Sequence, residues 1–324
     1  MTTLLKDLLQ TILGIFTMES LRERNRLLRQ KFFEENENSH CQVDSWMSTK
    51  PKDEPVRPSC TINLDQHSEV YNMNHKRRGI ALIFSHVNFK KLDTRVGGEK
   101  DSQELAQTLK YLGFDVRVYI DSNVKTILST VQNAAAEDHT DADCLVVAAM
   151  SHGESGVLYA ADNVYPVDML WSPFLGNRCP SLAGKPKLFF IQSCRGTKLD
   201  NGVEIIHETD STPSATTYSL PAYADIMVAY STYDGFYSWR NPDNGSWFIQ
   251  ALCQELNKNW KTHDLLRMMT AVVRRVSIEY QSFIPQKESF HQKKQVPSLV
   301  SMLTRLLFFG DVSLEYQVKN KSAK

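Results

Sequence analysis

The sequence predicts an α/β protein in which a mostly parallel sheet is covered by helices on both faces. Two features of residues 76–309 carry that expectation. Short, nearly continuous apolar runs recur, and segments with helical spacing separate them. A strand buried on both faces has no polar side to alternate with, so parallel strands read as unbroken apolar runs. Strands alternating with helices then require crossovers that lie over the sheet. A third observation sets the scale. The chain has 324 residues with 42% hydrophobic content, enough for a sizeable core and for two domains of about 150 residues or one large one with a tail.

The elements follow in order. Residues 79–84 form the first buried strand. Residues 99–112 place Leu105, Leu109 and Leu112 on one helical stripe and stop at Gly113, the residue type that closes a helix in the left-handed conformation. Residues 114–120 alternate as a strand, and residues 123–137 form a helix. Residues 143–150 form a second apolar strand, in which Cys144 reads as a buried thiol acting as a small hydrophobe. A helix is expected near residues 167–175 and a short strand at 187–191. Residues 211–221 break the pattern with three Ser, three Thr and two Pro, the composition of an exposed loop open to proteolytic nicking. A strand at 225–231, helices near 245–260 and 263–280, and a last strand at 299–309 complete the domain. There is no internal repeat.

Ahead of this domain the character differs. Leu4, Leu5, Leu8, Leu9, Ile12, Leu13 and Phe16 fall at helical spacing, followed by Arg22, Arg24, Arg26, Arg29 and Lys31. That pattern allows an amphipathic helix for a membrane surface or a partner. The plainer reading, a marginal helix in an N-terminal tail, is preferred. Residues 36–70 are polar, contain Pro51, Pro55 and Pro58, and read as a disordered linker.

Composition excludes several classes. Lys plus Arg equals Asp plus Glu at 37 each, so no nucleic-acid partner is expected, because phosphate tracking needs net positive charge. The longest apolar run, residues 144–150, is far too short for a transmembrane segment. Six cysteines at 41, 60, 144, 179, 194 and 253 contain no CxxC pair, which argues against disulfide scaffolds and zinc ribbons. With Lys6 and Asp7 ahead of a short apolar stretch, the N-terminus makes a poor secretory signal. A reducing, cytoplasmic compartment is expected, with neither metal nor cofactor.

The chemistry should sit past the carboxyl ends of the strands, where open α/β sheets bind ligands. Those loops hold Arg95, Ser151-His152-Gly153, Gln192-Ser193-Cys194-Arg195-Gly196 and Tyr237-Ser238-Trp239-Arg240-Asn241. A thiol, an imidazole and two guanidiniums thus converge on one rim. A Cys–His pair suits nucleophilic attack on a carbonyl: the imidazole takes the thiol proton and then protonates the departing amine. Gly153, lacking a Cβ, lets its N–H approach the reacting oxygen and complete an oxyanion hole with the N–H of Cys194. Each group alone reads as structural: a packed cysteine, a loop histidine, solvated arginines, core tryptophans. Their coincidence on successive strand ends points to a site.

At these residues the sequence resembles the caspase family. Phe189-Phe190-Ile191-Gln192-Ser193-Cys194-Arg195-Gly196 is similar to the family's active-site peptide, and Ser151-His152-Gly153-Glu154 to its histidine loop, 194 − 152 = 42 residues upstream. Residues 237–241 and 245–250 resemble the substrate-binding strand and following helix of effector members. Tyr71-Asn72-Met73-Asn74 resembles invertebrate effector members in particular. The likeness runs over about residues 71–312.

The resemblance implies a three-layer sandwich on a six-stranded, mostly parallel sheet. It implies Cys194 as nucleophile, His152 as acid and base, and Gly153 with Cys194 as oxyanion donors. Arg95, Gln192 and Arg240 would bind the carboxylate of a P1 aspartate. Fork-shaped guanidiniums that stay charged at any working pH suit that task. Ser238 lies on the substrate-binding strand, Tyr237 and Trp239 would wall the P2 site, and Asn241, Trp247 and Phe290 would form an outer subsite for an acidic P4. Ser193 stands where the family most often has Ala, and the loop 283–290 is about one residue longer.

The same resemblance divides the chain into a propeptide and linker (1–70), a large subunit (71–210), an intersubunit linker (211–221), a small subunit (222–312) and a tail (313–324). Residues 1–70 are too short for a six-helix recruitment domain, which favours the effector class. His207-Glu208-Thr209-Asp210 reads as an activating cleavage site for an upstream initiator caspase, and Asp44 as a propeptide site, with Asp53 and Asp65 competing. Partners implied are protein substrates with P1 Asp, a second large–small unit joined through the last strand, and inhibitor-of-apoptosis proteins. The alternative is a catalytically silent caspase-fold regulator, but such relatives usually lose the Cys, the His or a pocket Arg. A peptidase cutting after basic residues would want acids where Arg95 and Arg240 stand.

Overall fold

The computed structural model describes residues 68–200 and 222–310. In chain order these form β1 (Ile80–Ser85), α1 (Gly98–Tyr111), β2 (Asp115–Ile120), α2 (Val124–Ala135) and β3 (Leu145–Met150). Three short strands follow, β4 (Gly153–Glu154), β5 (Val157–Tyr159) and β6 (Val164–Pro166), and then β7 (Lys187–Gln192). Beyond the undescribed stretch come β8 (Ile226–Tyr230), β9 (Arg240–Asn241), β10 (Gly245–Ser246), α3 (Trp247–Asn259), α4 (Leu265–Glu279) and β11 (Ser298–Ser301). No helix among the described residues is long and apolar enough to cross a membrane.

One six-stranded sheet runs in the order β11-β8-β7-β3-β1-β2, parallel except for β11. The apolar runs explain it. β1, β3 and β7 are buried along their whole length, and their alternate side chains feed two separate cores. Ala81 and Ile83 join Leu105, Leu109, Phe248, Leu252, Met268 and Val272 of α1, α3 and α4. Ile80, Leu82 and Phe84 join Ile127 and Val131 of α2 and Phe174 and Leu182 beyond it. Three layers result, as the sequence predicted. Cys144 is buried, and burial pushes its thiol pKa well up.

Helix ends follow local chemistry. Asn123 accepts from Thr126 N at 2.8 Å and caps α2. Gly113, at φ 92°, closes α1 with Gly113 N donating to Lys110 O at 2.9 Å and Phe114 N to Leu109 O at 3.1 Å, a Schellman arrangement.

Two expectations fail. The helix expected near 167–175 is instead two 3-10 turns, Val167–Leu170 and Ser172–Phe174. A continuous helix would need a backbone donor at Pro173, which has none. The last strand, expected over 299–309, ends at Ser301. Its antiparallel register, Ser298↔Tyr230 to Ser301↔Met227, uses up β8. The chain then leaves the sheet, and Leu306 bridges Val70 instead. The disordered linker expected over 36–70 is corrected at its end, where Val70 is buried and bridges Leu306; residues 1–35, the rest of that linker (36–67), the loop 211–221, the tail 313–324, Asp44 and Asp210 lie outside the described residues.

Candidate active site

Register brings together the loops that carry the thiol and the imidazole. In the β3–β7 pair, Met150 stands beside Gln192, and Ser151 N donates to Gln192 O at 3.0 Å. His152 and Cys194 each follow by two residues, so they leave the sheet at the same height on neighbouring strands. A Cβ on Gly153 would lie 2.8 Å from Ser193 Oγ and 3.0 Å from Val157 O. The two loops therefore touch at Gly153, and no larger residue fits between them without displacement.

His152 is held by its far nitrogen. Nε2 lies 2.8 Å from Asp93 O. A carbonyl only accepts, so Nε2 carries the proton and Nδ1 is left as the basic atom. Phe89 packs on the ring at 4.8 Å between centroids. Burial lowers the His152 pKa, and the like charges of Arg95 and Arg240 push the same way. For Cys194 burial raises the pKa, against the Ser238 N–H and the arginines. Both shifts favour the uncharged forms, a neutral thiol and a neutral imidazole.

Ser238 brackets the sulfur. Its N–H donates to Cys194 Sγ at 3.4 Å, and its carbonyl oxygen is 3.7 Å from the same atom. The Ser238 hydroxyl accepts from Gln192 Nε2 at 2.9 Å. Residues 237–241 thus lie directly over the Cys194 loop.

The two arginines form a cationic pocket. Arg95 is only 1% exposed; its Nη1 donates to His86 O at 2.9 Å, while Nη2 is buried with no hydrogen-bond partner. Burial, and next the charge of Arg240, bring Arg95 down to about 10, so it remains charged at neutral pH. Arg240 is half-buried and donates through Nε to Val96 O at 2.8 Å. Gln192 Oε1 is likewise buried and unpartnered. Buried, unsatisfied polar atoms at a charged rim cost free energy until a ligand meets them.

Asp101 supports this pocket, and sequence reasoning missed it. Its carboxylate accepts from Ser246 N at 2.6 Å and Ser246 Oγ at 2.5 Å, and stands 3.8 Å from Arg95 Nη2. Ser246 pairs with Arg240 across β9–β10, so one buried acid ties down the strands next to both arginines. In sequence it reads as an acid complementing a helix N-terminus, with no signal of burial.

An aromatic wall stands alongside. Trp239 stacks on Trp247 at 5.8 Å, and Phe290 meets Trp239 at 6.2 Å and Tyr237 at 6.0 Å. Tyr280, not anticipated, backs Trp247 at 5.5 Å. Gln295 is a second unanticipated support: Oε1 accepts from Trp239 N and Nε2 donates to Ser231 O, both at 2.6 Å. Asn241 is exposed and folds its own hairpin, accepting from Asp243 N and Asn244 N. Every expected site residue within the described chain falls on this one rim.

The residues after Cys194 lock it in place. Arg195 N donates to Phe236 O, Gly235 N donates to Arg195 O, and the Arg195 guanidinium lies 4.0 Å over the Tyr230 ring and 3.2 Å from Asp234. Gly196, at φ 154°, faces Gly235 O so closely that a Cβ would come within 2.3 Å. Backbone strain of this kind costs about 1–3 kcal/mol before any clash. Gly196→Ala is expected to lower Tm by roughly 5 °C or more in thermal unfolding; an unchanged Tm would show that the loop yields easily.

The comparisons agree with this geometry. Residues 78–308 match the family model for the caspase domain. Caspase drICE of Drosophila melanogaster is 49% identical over 255 residues, 77% of this chain and 75% of that protein. Caspase-3 of Bos taurus is 39% identical over 244 residues, 74% of this chain and 88% of that one. The crystal structure of Caspase-1 from Spodoptera frugiperda superposes with a TM-score of 0.72 at 47% identity, covering 77% of this chain and 98% of that chain. A six-stranded, mostly parallel sheet, a Cys–His rim and these matches have one reading: the chain belongs to the caspase family, among the effector caspases of apoptosis.

Proposed function

We propose that the chain is an aspartate-specific cysteine endopeptidase with Cys194 as nucleophile and His152 as acid and base. The buried, unpartnered Nη2 of Arg95, beside Arg240 and on the same rim as Cys194, carries this reading, because it asks for an anionic side chain next to the scissile bond. Sγ attacks the carbonyl carbon while Nδ1 of His152 takes the thiol proton. The developing oxyanion is met by the N–H groups of Gly153 and Cys194. The C–N bond breaks, His152 returns the proton to the leaving amine, and a thioester remains. Water then attacks with His152 as base, releasing the carboxylic acid and the thiol. Gln192, Arg95 and Arg240 hold the P1 carboxylate; Tyr237, Ser238 and Trp239 line the P2 side; Asn241, Trp247 and Phe290 supply the outer subsite.

A peptide panel differing only at P1 and P4 tests the assignment. Cleavage after Asp alone is expected, and equal cleavage after Asn or Lys would sink it. The pH profile gives a second check. His152 must be neutral to act as base, and burial holds its pKa below the ordinary 6.5. The acid limb of kcat/KM should therefore fall below pH 6.5.

The chain is made as a zymogen and cut after Asp210 by an initiator caspase, separating a large subunit (71–210) from a small one (222–312). Asp44 is the propeptide site. Cutting releases a tether between the loops that carry Cys194 and Arg240. Asp210→Ala is expected to stay single-chain and poorly active after initiator treatment. Full activity of the uncut variant would show tether release to be unnecessary. Two cut units join through β11, which among the described residues pairs with β8 alone and where Val300 is half exposed. Inhibitor-of-apoptosis proteins are further partners, and the cytoplasm is the working compartment.

A further inference from the structure

The other edge of the sheet carries an open apolar groove. Among the described residues β2 pairs with β1 alone, so its outer edge offers unpaired backbone donors and acceptors. Val118 and Ile120 are 41% and 51% exposed there. With Glu99, Gln103, Ala106 and Lys110 of α1 they line a groove of about 410 Å³. The alternate residues of β2 are engaged on the far face, where Arg117 bonds Asp115 and Glu137, and Tyr119 stacks on Phe84 at 5.3 Å. A six-residue edge strand with exposed β-branched side chains is a template for pairing unless something covers it.

A segment of this chain has the pattern to cover it. The described chain reaches Gly310 at the foot of β2. The Phe309 ring lies 6.1 Å from Phe114, the residue before β2. Arg78 joins the two stretches, donating to Phe309 O at 2.8 Å and to Leu112 O at 3.2 Å. The residues that follow, Val312-Ser313-Leu314-Glu315-Tyr316-Gln317-Val318, alternate apolar and polar through seven positions, the period of a strand with one buried face. They lie outside the matched domain, residues 78–308, so the shared domain does not account for that alternation. A segment entering beside the start of β2 runs alongside it without reversing. Seven extended residues span about 23 Å, against roughly 20 Å for β2 at ~3.3 Å per residue.

We propose that residues 312–318 add to β2 as a seventh, parallel strand. Val312, Leu314, Tyr316 and Val318 lie in the groove against Val118, Ile120 and Ala106. The backbone ladder supplies affinity and the alternate side chains supply register, as in strand addition generally.

Amide hydrogen exchange tests this on three proteins: the full chain, a chain ending at Gly310, and the full chain with Ser313→Pro and Glu315→Pro, whose N–H groups would face β2 when the apolar side chains lie in the groove. Proline removes the ladder donors without shortening the segment. Amides of Val116, Val118 and Ile120, which point away from β1, are expected to exchange at least about tenfold faster in both altered proteins, with β1 amides unchanged as internal reference. If the shortened chain fails to fold, the proline variant decides alone. Equal β2 exchange in all three proteins overturns the proposal. So does faster exchange of β1 and β2 together, which means general destabilisation, or β2 protection that survives the prolines. Protection of β2 that rises with protein concentration in the shortened chain places a second copy on this edge and overturns it too.

Discussion

Cys194→Ala is expected to abolish peptidase activity, lowering kcat by about a million-fold, the scale seen when a protease loses its nucleophile. The fold should not notice. Cys194 is half-buried, and its sulfur contacts the backbone of Ser238 without filling a core position. Cys144 and Cys253 are buried thiols whose pKa burial drives up, so neither offers a substitute. Active-site labelling with a thiol-reactive peptide and a thermal melt on the same sample check both halves. A Tm within about 2 °C of the parent, with no turnover and no labelling, is the expected result. Turnover within tenfold of the parent would remove Cys194 from the mechanism.

Arg95→Ala carries the second large effect. The site surrounds this guanidinium with protein on every side, leaves Nη2 unpartnered, and places Asp101 at 3.8 Å, a weak contact for a buried ion pair. A P1 carboxylate taken out of water there loses a charge-assisted partner. Breaking such a pair costs about 3–5 kcal/mol, which is two to nearly four orders of magnitude in kcat/KM at ~1.4 kcal/mol per decade. With P1 Asn the penalty of Arg95→Ala should shrink, because an amide brings no charge. A double-mutant cycle of Arg95→Ala against P1 Asp→Asn measures the coupling. A cycle that closes without coupling would mean that Arg95 shapes the pocket but does not read charge.

Much of the fold was legible because burial writes itself into sequence. Residues 145–150 and 187–192 are buried on both faces, and a strand with no wet side leaves an almost unbroken apolar run. Gly113 announced a helix end through backbone geometry that belongs to that residue type. The region 167–175 misled because Val167, Leu170 and Phe174 do face the core at helix-like intervals, while Pro173 forbids the hydrogen bonds. β11 was read too long because Leu306, Leu307, Phe308 and Phe309 look like strand and instead pack at the foot of the sheet. The reactive residues were legible through their place at strand ends and through a family likeness. Their supports were not. The hydrogen-bond partners of Asp101 and Gln295 stand 145 and 56–64 residues away in sequence, and no local pattern encodes a distant partner.

The adjacency of β7 and β8 has a consequence for the molecule's integrity. These strands stand on opposite sides of residues 201–221, yet they are parallel neighbours in register from Lys187↔Ile226 to Ile191↔Tyr230. A break in the connecting segment leaves that ladder whole. The two pieces also share a core, since Phe190 and Leu188 lie with Phe248, Leu252 and Met268. Each such side chain contributes about 1.5–3 kcal/mol by burial. Losing a connection of about twenty residues forfeits only a closure term that varies slowly with length. Cohesion therefore does not depend on covalent continuity. The pieces would remain one object after nicking, with Arg95 and Gln192 contributed by one and Arg240 by the other. Neither piece alone carries all three residues of the proposed pocket, so the proposed unit of function is the pair.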